Sequence, residues 1–184
     1  MNPNIKIHEW KIIEEGFDPA FNRASESLFS IGNGHMGQRA NFEETYTGDS
    51  LQGTYIAGIY YPDKTRVGWW KNGYPEYFAK VLNAPSWIDL SIRVDGEELD
   101  LAKCRVDDFR RELDMQKGTL SRSFVATMKS GIKLKVETLR FISMADHETT
   151  ALRYSITLLD GEAEVEIVSS VDADVYNEDS NYGE

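Results

Sequence analysis

Ile88-Asp-Leu-Ser-Ile-Arg-Val-Asp-Gly-Glu-Glu-Leu-Asp-Leu101 is the stretch on which the fold turns. Ile88, Leu90, Ile92 and Val94 alternate with Asp89, Ser91 and Arg93, the period-two signature of a strand with one buried face. Asp95-Gly96 interrupts the run and Glu97 to Leu101 resumes it. This predicts a hairpin, because glycine accepts the positive φ of a tight primed turn. The same pattern recurs downstream. After Ser130-Gly131, Ile132, Leu134 and Val136 alternate with Lys133, Lys135 and Glu137. Leu139 and Phe141 then fall in the opposite parity, which predicts a bulge or burial on both faces. Leu152, Tyr154, Ile156 and Leu158 repeat the alternation, Asp160-Gly161 turns the chain, and Ala163, Val165 and Ile167 alternate with Glu162, Glu164 and Glu166. Short strands between glycine turns, with no convincing long helix, predict an antiparallel all-β fold. A β-sandwich is favoured over a barrel, although periodicity alone does not separate the two.

The 184 residues bound one large or two small domains, and no linker or internal repeat divides them. Residues 1–184 are therefore read as a single sandwich domain. No run approaches the roughly 20 apolar residues that cross a bilayer, and no basic region followed by an apolar core opens the chain. The one cysteine, Cys104, excludes an internal disulfide and fits a reducing, cytoplasmic setting. Lys plus Arg number 20 and Asp plus Glu 31, for a net charge of −11. Residues 154–184 hold nine acidic residues and no Lys or Arg, so that end carries −9 and the rest only −2. A basic surface that tracks phosphates is missing, which argues against nucleic acid and an anionic membrane as partners. The acidic end reads as a solvated face or as a contact for something basic. The chain stops in a polar run, Asn177 to Glu184, without a closing strand or cap, and reads as an interrupted one.

Residues 1–85 hold most of the glycines, and positions 55–87 hold nine of the 21 aromatic residues. Gly32-Asn-Gly-His-Met-Gly37 matches the dinucleotide-loop spelling G-x-G-x-x-G, but no helical apolar spacing follows it. Glycines that let strands bend or backbones meet closely are the better account. His147-Glu148 lacks the second histidine of a zinc motif, since position 151 is Ala, and no metal site is expected. Adjacent carboxylates such as Glu14/Glu15, Glu43/Glu44 and Glu97/Glu98 point to opposite faces of a strand and make poor acid/base pairs. No catalytic residue stands out. The candidate functional segment is the aromatic loop with Trp69, Trp70, Lys71, Asn72, Tyr74 and Tyr77. Its rings have apolar faces for sugar C–H patches and polar edges for hydroxyls; the bland alternative is that they fill a core or a domain interface.

Two stretches carry a resemblance. Glu26-Ser-Leu-Phe-Ser-Ile-Gly-Asn-Gly-His-Met-Gly-Gln-Arg-Ala-Asn-Phe-Glu-Glu44 resembles the opening of glycoside hydrolase family 65, which includes maltose, trehalose and kojibiose phosphorylases. The run from Gly53 to Pro85 is similar to the maltose-phosphorylase branch of that family, and weaker echoes lie at 109–115, 140–146 and 171–177. The resemblance implies an N-terminal β-sandwich followed by helical linkers, an (α/α)6 catalytic barrel and a small C-terminal β-domain. This chain then lacks the barrel, which becomes its expected partner, and a homodimer is an allowed assembly of the parent. The implied reaction is reversible, inverting phosphorolysis of an α-glucosyl disaccharide, with no cofactor and with inorganic phosphate as co-substrate. An acid protonates the departing glycosidic oxygen while phosphate attacks the opposite face of the sugar. The resemblance assigns both the acid and the phosphate-holding residues to the barrel, so no catalytic residue is carried over. The six-residue loop set is expected at an active-site rim or an interface. A stand-alone carbohydrate-binding module, or the sandwich of a related hydrolase, is the alternative.

Overall fold

Alternation sustained over nine or ten residues builds the central layer. A computed structural model describes residues 3–65 and 75–177. In chain order the first strands are β1 (Ile5–Ile7) and β2 (Lys11–Glu15), followed by a 3-10 turn (Pro19–Phe21) and the short helix α1 (Asn22–Leu28). Then come β3 (Ile31–Gly32), β4 (Met36–Gln38), β5 (Thr54–Ile56), β6 (Tyr60–Lys64), β7 (Tyr77–Val81), β8 (Leu90–Val94) and β9 (Glu97–Glu98). The long strands follow: β10 (Arg105–Asp114), β11 (Thr119–Thr127), β12 (Lys133–Ile142), β13 (Thr150–Leu158) and the shorter β14 (Val165–Ser169).

One layer is a six-stranded sheet in the order β1-β2-β10-β11-β12-β13, antiparallel throughout. Against it lie two three-stranded sheets, β14-β8-β9 and β3-β4-β5, while β6 and β7 form a separate ribbon. The architecture is the expected all-β sandwich. Asp95 and Gly96 have φ of 48° and 79°, the pair of left-handed residues that a type I′ hairpin needs between β8 and β9. Asp160-Gly161 turns the chain as expected, but it carries it from one sheet to the other, since β13 and β14 belong to different layers.

The inward faces meet in two apolar clusters. Phe109, Phe124, Ala126, Leu134 and Val136 of the large sheet pack on Ile92, Val94, Leu99 and Leu101 of the opposite layer. Leu113, Leu120 and Ile142 pack on Phe29, Ile31 and Ala40 from α1 and the segment after it. One expectation is corrected. β12 runs without a bulge against both neighbours, and the inward parity passes from Val136 to Thr138, Arg140 and Ile142. Leu139 and Phe141 simply face outward, Phe141 being 39% exposed. The irregularity sits instead in β10, where the register against β11 shifts between Asp107 and Arg110 and Asp108 takes a φ of 52°.

Phe124 is 1% exposed at the centre of the larger cluster. Phe124→Ala is expected to cost about 3–5 kcal/mol of stability in urea unfolding. Ser123→Ala, on the opposite face of the same strand, is expected to stay within about 0.5 kcal/mol. Similar losses from both would refute the assignment of faces.

Candidate functional site

Between the two apolar clusters the large sheet presents charge. On β10 the inward sequence is Phe109, Arg111, Leu113; on β11 it is Leu120, Arg122, Phe124. Arg111 lies directly opposite Arg122, and Arg140 opposite Leu120. All three guanidinium groups are buried, at 1%, 5% and 1% exposure for Arg111, Arg122 and Arg140. Charges removed from water this completely need matched partners.

The partners come from β2 and from the segment that carries the family-like wording. α1 brings Glu26 and the chain after β4 brings Glu43 and Glu44, all three buried. Arg122 grips Glu44 through both nitrogens at 2.5 Å and reaches Glu43 at 2.5 Å. Arg140 lies 3.3 Å from the other oxygen of Glu43 and donates to the Arg39 carbonyl at 3.0 Å. Arg111 approaches Glu14 at 3.3 Å, donates to Asn22 Oδ1 at 3.1 Å and lies over the Phe42 ring at 5.1 Å. Glu26 accepts from Asn22 Nδ2, Ser50 Oγ and the Leu51 N–H, with Arg39 at 3.8 Å. Four guanidinium groups thus face four carboxylates.

Burial pushes the Glu43 carboxyl up, yet Arg122 and Arg140 outweigh it and hold it below its ordinary value. Burial pulls Arg122 down, but Glu44 and Glu43 raise it above the usual guanidinium range. Arg111 is pulled down to about 10, mainly by burial, and stays charged at neutral pH. Glu43, held ionised in this way, is no proton donor. The expectation that adjacent carboxylates point apart fails at Glu43 and Glu44, because residues 43–44 are not part of a named strand and both side chains turn to Arg122. The sequence reading missed this network; the signal that could have found it is that Arg122 and Arg140 stand on the parity that the structure buries, where apolar residues are the rule.

Gly32 to Gly37 forms the β3–β4 hairpin rather than a phosphate loop. Asn33 closes it by accepting from the N–H groups of His35 and Met36, and pins it to the 143–147 loop by donating to the Ser143 and His147 carbonyls. A side chain on Gly32 would meet the Met36 carbonyl at 3.0 Å, the close backbone approach that the sequence predicts. The candidate loop is only partly placed. Trp69, Trp70, Lys71, Asn72 and Tyr74 lie outside the described residues. Tyr77 opens β7 opposite Lys64. Tyr60, Tyr61 and Tyr77 are 52%, 55% and 51% exposed, so the described rings of this ribbon do not fill the core.

A cleft of about 680 Å³ opens between residues 41–52, 86–91 and 170–176. It contains Glu44, Asp89, Asp172 and Asp174 and is lined by no Lys, Arg or His, so it offers an anion such as phosphate no cationic partner. Burial pushes the Asp89 carboxyl up; the Ser86 hydroxyl beside it offsets part of that, and Asp172 adds to it. Among the described residues, no group of three or more His, Cys, Asp or Glu side chains is arranged to hold a metal ion. No helix of the described residues is long and apolar enough to cross a membrane.

Residues 12–184 match the model of the N-terminal domain of glycosyl hydrolase family 65. The chain belongs to this family. The family 65 domain is 49% identical over 180 residues to the maltose phosphorylase of Bacillus subtilis (strain 168), a match covering 98% of this chain and 24% of that protein. It is 33% identical over 177 residues to a kojibiose phosphorylase of Thermoanaerobacter brockii, covering 96% of this chain and 21% of that one. A solved structure from human microbiome, assigned as a kojibiose phosphorylase, superposes with a TM-score of 0.75 at 30% identity over 89% of this chain and 22% of that chain. The family 65 domain therefore spans about a quarter of the length of the relatives it matches, a larger multidomain protein in each case.

Removing Arg122 leaves two buried carboxylates facing each other. Arg122→Met is expected to lose about 3–5 kcal/mol, and adding Glu43→Gln and Glu44→Gln to recover part of the loss, in a double-mutant-cycle measurement. Because folding lowers the Glu43 carboxyl below 4.5, its contribution is complete above that pH and fades as the pH falls through the lowered value. The urea midpoint of the native chain is expected to fall from about pH 5 downward, and that acid slope to shrink in Glu43→Gln. An unchanged slope would show that Glu43 is not held ionised.

Proposed function

We propose that the chain is the non-catalytic N-terminal sandwich of a disaccharide phosphorylase whose substrate is maltose. The parent then converts maltose and inorganic phosphate reversibly to glucose and β-glucose 1-phosphate, in a reducing, cytoplasmic setting where Cys104 remains a thiol. The observation that carries the reading is the 49% identity to a maltose phosphorylase, against 33% to a kojibiose phosphorylase.

The chemistry supports assigning the domain a supporting role. Inverting phosphorolysis needs a carboxylic acid beside the glycosidic oxygen and, on the far side of the sugar, donors that hold a phosphate. The buried glutamates of this domain are already engaged with guanidinium and hydroxyl groups. The carboxyl that burial raises, Asp89, stands in a cleft whose lining is acidic and holds no cation. Acid and anion cradle do not meet among the described residues. A phosphate that attacks as an anion needs no base to activate it, so the pairing that a hydrolase requires around its water is not demanded here.

One feature favours a second reading, a carbohydrate-binding role: the exposed tyrosines of the β6–β7 ribbon offer ring faces to sugars. In this reading the ribbon and the Trp69–Tyr77 loop form a rim for the parent's active site or bind glucan directly.

The chain alone, given maltose and phosphate, is expected to release no glucose 1-phosphate, while the full-length polypeptide that carries it does so with saturation. Saturable turnover by the chain alone would overturn the non-catalytic assignment. Full-length activity on kojibiose or trehalose in place of maltose would move the substrate. Stoichiometric heat on titrating the chain with maltose, lost in Tyr77→Ala, would favour the carbohydrate-binding reading.

A further inference from the structure

His147 has no second histidine in its own stretch, because position 151 is Ala, but the fold brings it one from elsewhere. His35, in the β3–β4 turn, lies against it with ring centres 6.3 Å apart and ring planes 22° from parallel. The chain has three histidines, and these two come from segments far apart in sequence. Both side chains are exposed, and among the described residues no hydrogen bond engages either ring. The nitrogens of two imidazoles therefore stand free on one patch of surface.

The backbone beneath the pair is held by one side chain. Asn33 Oδ1 accepts from the His35 N–H at 2.9 Å and the Met36 N–H at 2.7 Å. Its Nδ2 donates to the Ser143 carbonyl at 2.7 Å and to the His147 carbonyl at 3.1 Å. The amide thus uses both donors and both lone pairs, and it touches the backbone of each histidine. The loop that carries His147 is closed on itself as well. Ser143 Oγ accepts from the N–H groups of Ala145 and Asp146, the Ser143 N–H donates to the Thr149 carbonyl at 2.9 Å, and the Thr149 N–H donates to the Asp146 carbonyl at 3.1 Å. Two rings on backbones fixed to each other lose little freedom on sharing a ligand.

The chemistry of the pair selects the ligand. Imidazole nitrogens suit Zn(II), Ni(II) and Cu(II). Two imidazoles that share one such ion, at metal–nitrogen distances of about 2.0–2.1 Å, place their ring centres roughly 5–6 Å apart. From 6.3 Å, a small rotation of two exposed side chains closes the gap. Asp146 and Glu148 flank His147 in sequence and add negative charge beside it, which favours a cation. Mg(II) and Ca(II) take oxygen ligands and are poorly served by two nitrogens. No third protein ligand is grouped with the pair among the described residues, so water completes the coordination.

We propose that His35 and His147 form a two-histidine site for a divalent first-row transition ion such as Zn(II), and that the bound ion ties the β3–β4 hairpin to the 143–149 loop. The site stands apart from the phosphorylase reading, since it needs the fold and the two rings and no step of sugar chemistry. The ion binds the folded chain alone, because unfolding separates the two rings, and it therefore stabilises the fold by mass action.

Calorimetric titration of the chain with Zn(II) tests the site. One histidine-dependent ion per chain is expected, with affinity weakened by about tenfold or more in His35→Ala and equally in His147→Ala. His8→Ala removes the remaining histidine, in the turn between β1 and β2, and is expected to leave the affinity unchanged. Urea unfolding gives an independent measure. Zn(II) is expected to raise the midpoint of the native chain and of His8→Ala, and to leave those of His35→Ala and His147→Ala where they stand without metal. The metal-free midpoints of the two exposed-position variants are expected to match that of the native chain, which shows that the fold is intact and the lost affinity belongs to the rings. Equal affinity in the native chain and in His35→Ala would assign the ion to the carboxylates of residues 154–184 and overturn the proposal. Displacement of Zn(II) by an equal concentration of Mg(II) would do the same. Weakening in His147→Ala alone would reduce the site to one imidazole and overturn the pairing.

Discussion

The structure depends on a band of buried guanidinium groups set between two apolar clusters. Arg111 and Arg122 face each other across adjacent strands, a like-charge pairing that a sheet does not tolerate unaided. Each is also out of water. The sheet is therefore stable only when Glu14, Glu26, Glu43 and Glu44 are in place, and three of those four lie outside the sheet. This constraint couples α1 and the chain after β4 to the sheet more specifically than apolar packing would. A buried ion network contributes little net stability compared with an apolar core, but misplacing a partner leaves an unpaired charge. The register of β10 against β11 and the path of residues 22–44 are fixed together.

How much of this was legible in the sequence follows from which force dominates locally. Where one face is buried and the other wet, alternation reports the strand directly, and β8, β12, β13 and the Asp95-Gly96 turn were readable on that ground. Leu139 and Phe141 misled because outward-facing apolar residues look like a change of parity, when the inward positions had passed to Thr138 and Arg140. Arg122 and Arg140 stand at core positions because their charge is matched by Glu44 and Glu43, 78 to 97 residues away in sequence. No local pattern encodes a match over that distance. Glu43 and Glu44 misled for a related reason: the rule that neighbours point apart belongs to strands, and that segment is held by its ion pairs.

The proposed division between scaffold and chemistry has a physical basis in the same network. A catalytic carboxyl must sit near the working pH, which requires burial or a neighbouring negative charge without a saturating cation. This domain does the reverse with Glu43, which lies between Arg122 and Arg140. At Asp89, where burial does raise a carboxyl, the lining holds no cationic side chain. Exposed tyrosine rings, in contrast, stand on a ribbon outside both layers.

This bears on what the family resemblance measures. Its most recognisable stretch, Glu26 to Glu44, contributes Glu26, Glu43 and Glu44 to the buried network, Asn33 to the pinned hairpin, and Phe29, Ile31 and Ala40 to the second apolar cluster. Those are structural duties, and sequence similarity there reports that the same sandwich is being built. The run from Gly53 to Pro85 is different in kind: Thr54 and Ala84 are buried, but between them the β6–β7 ribbon holds Tyr60, Tyr61 and Tyr77 exposed. A surface that packing does not require is the natural place to look for function, and the exposed tyrosines of this run are therefore the part of the domain on which the proposed carbohydrate reading is tested.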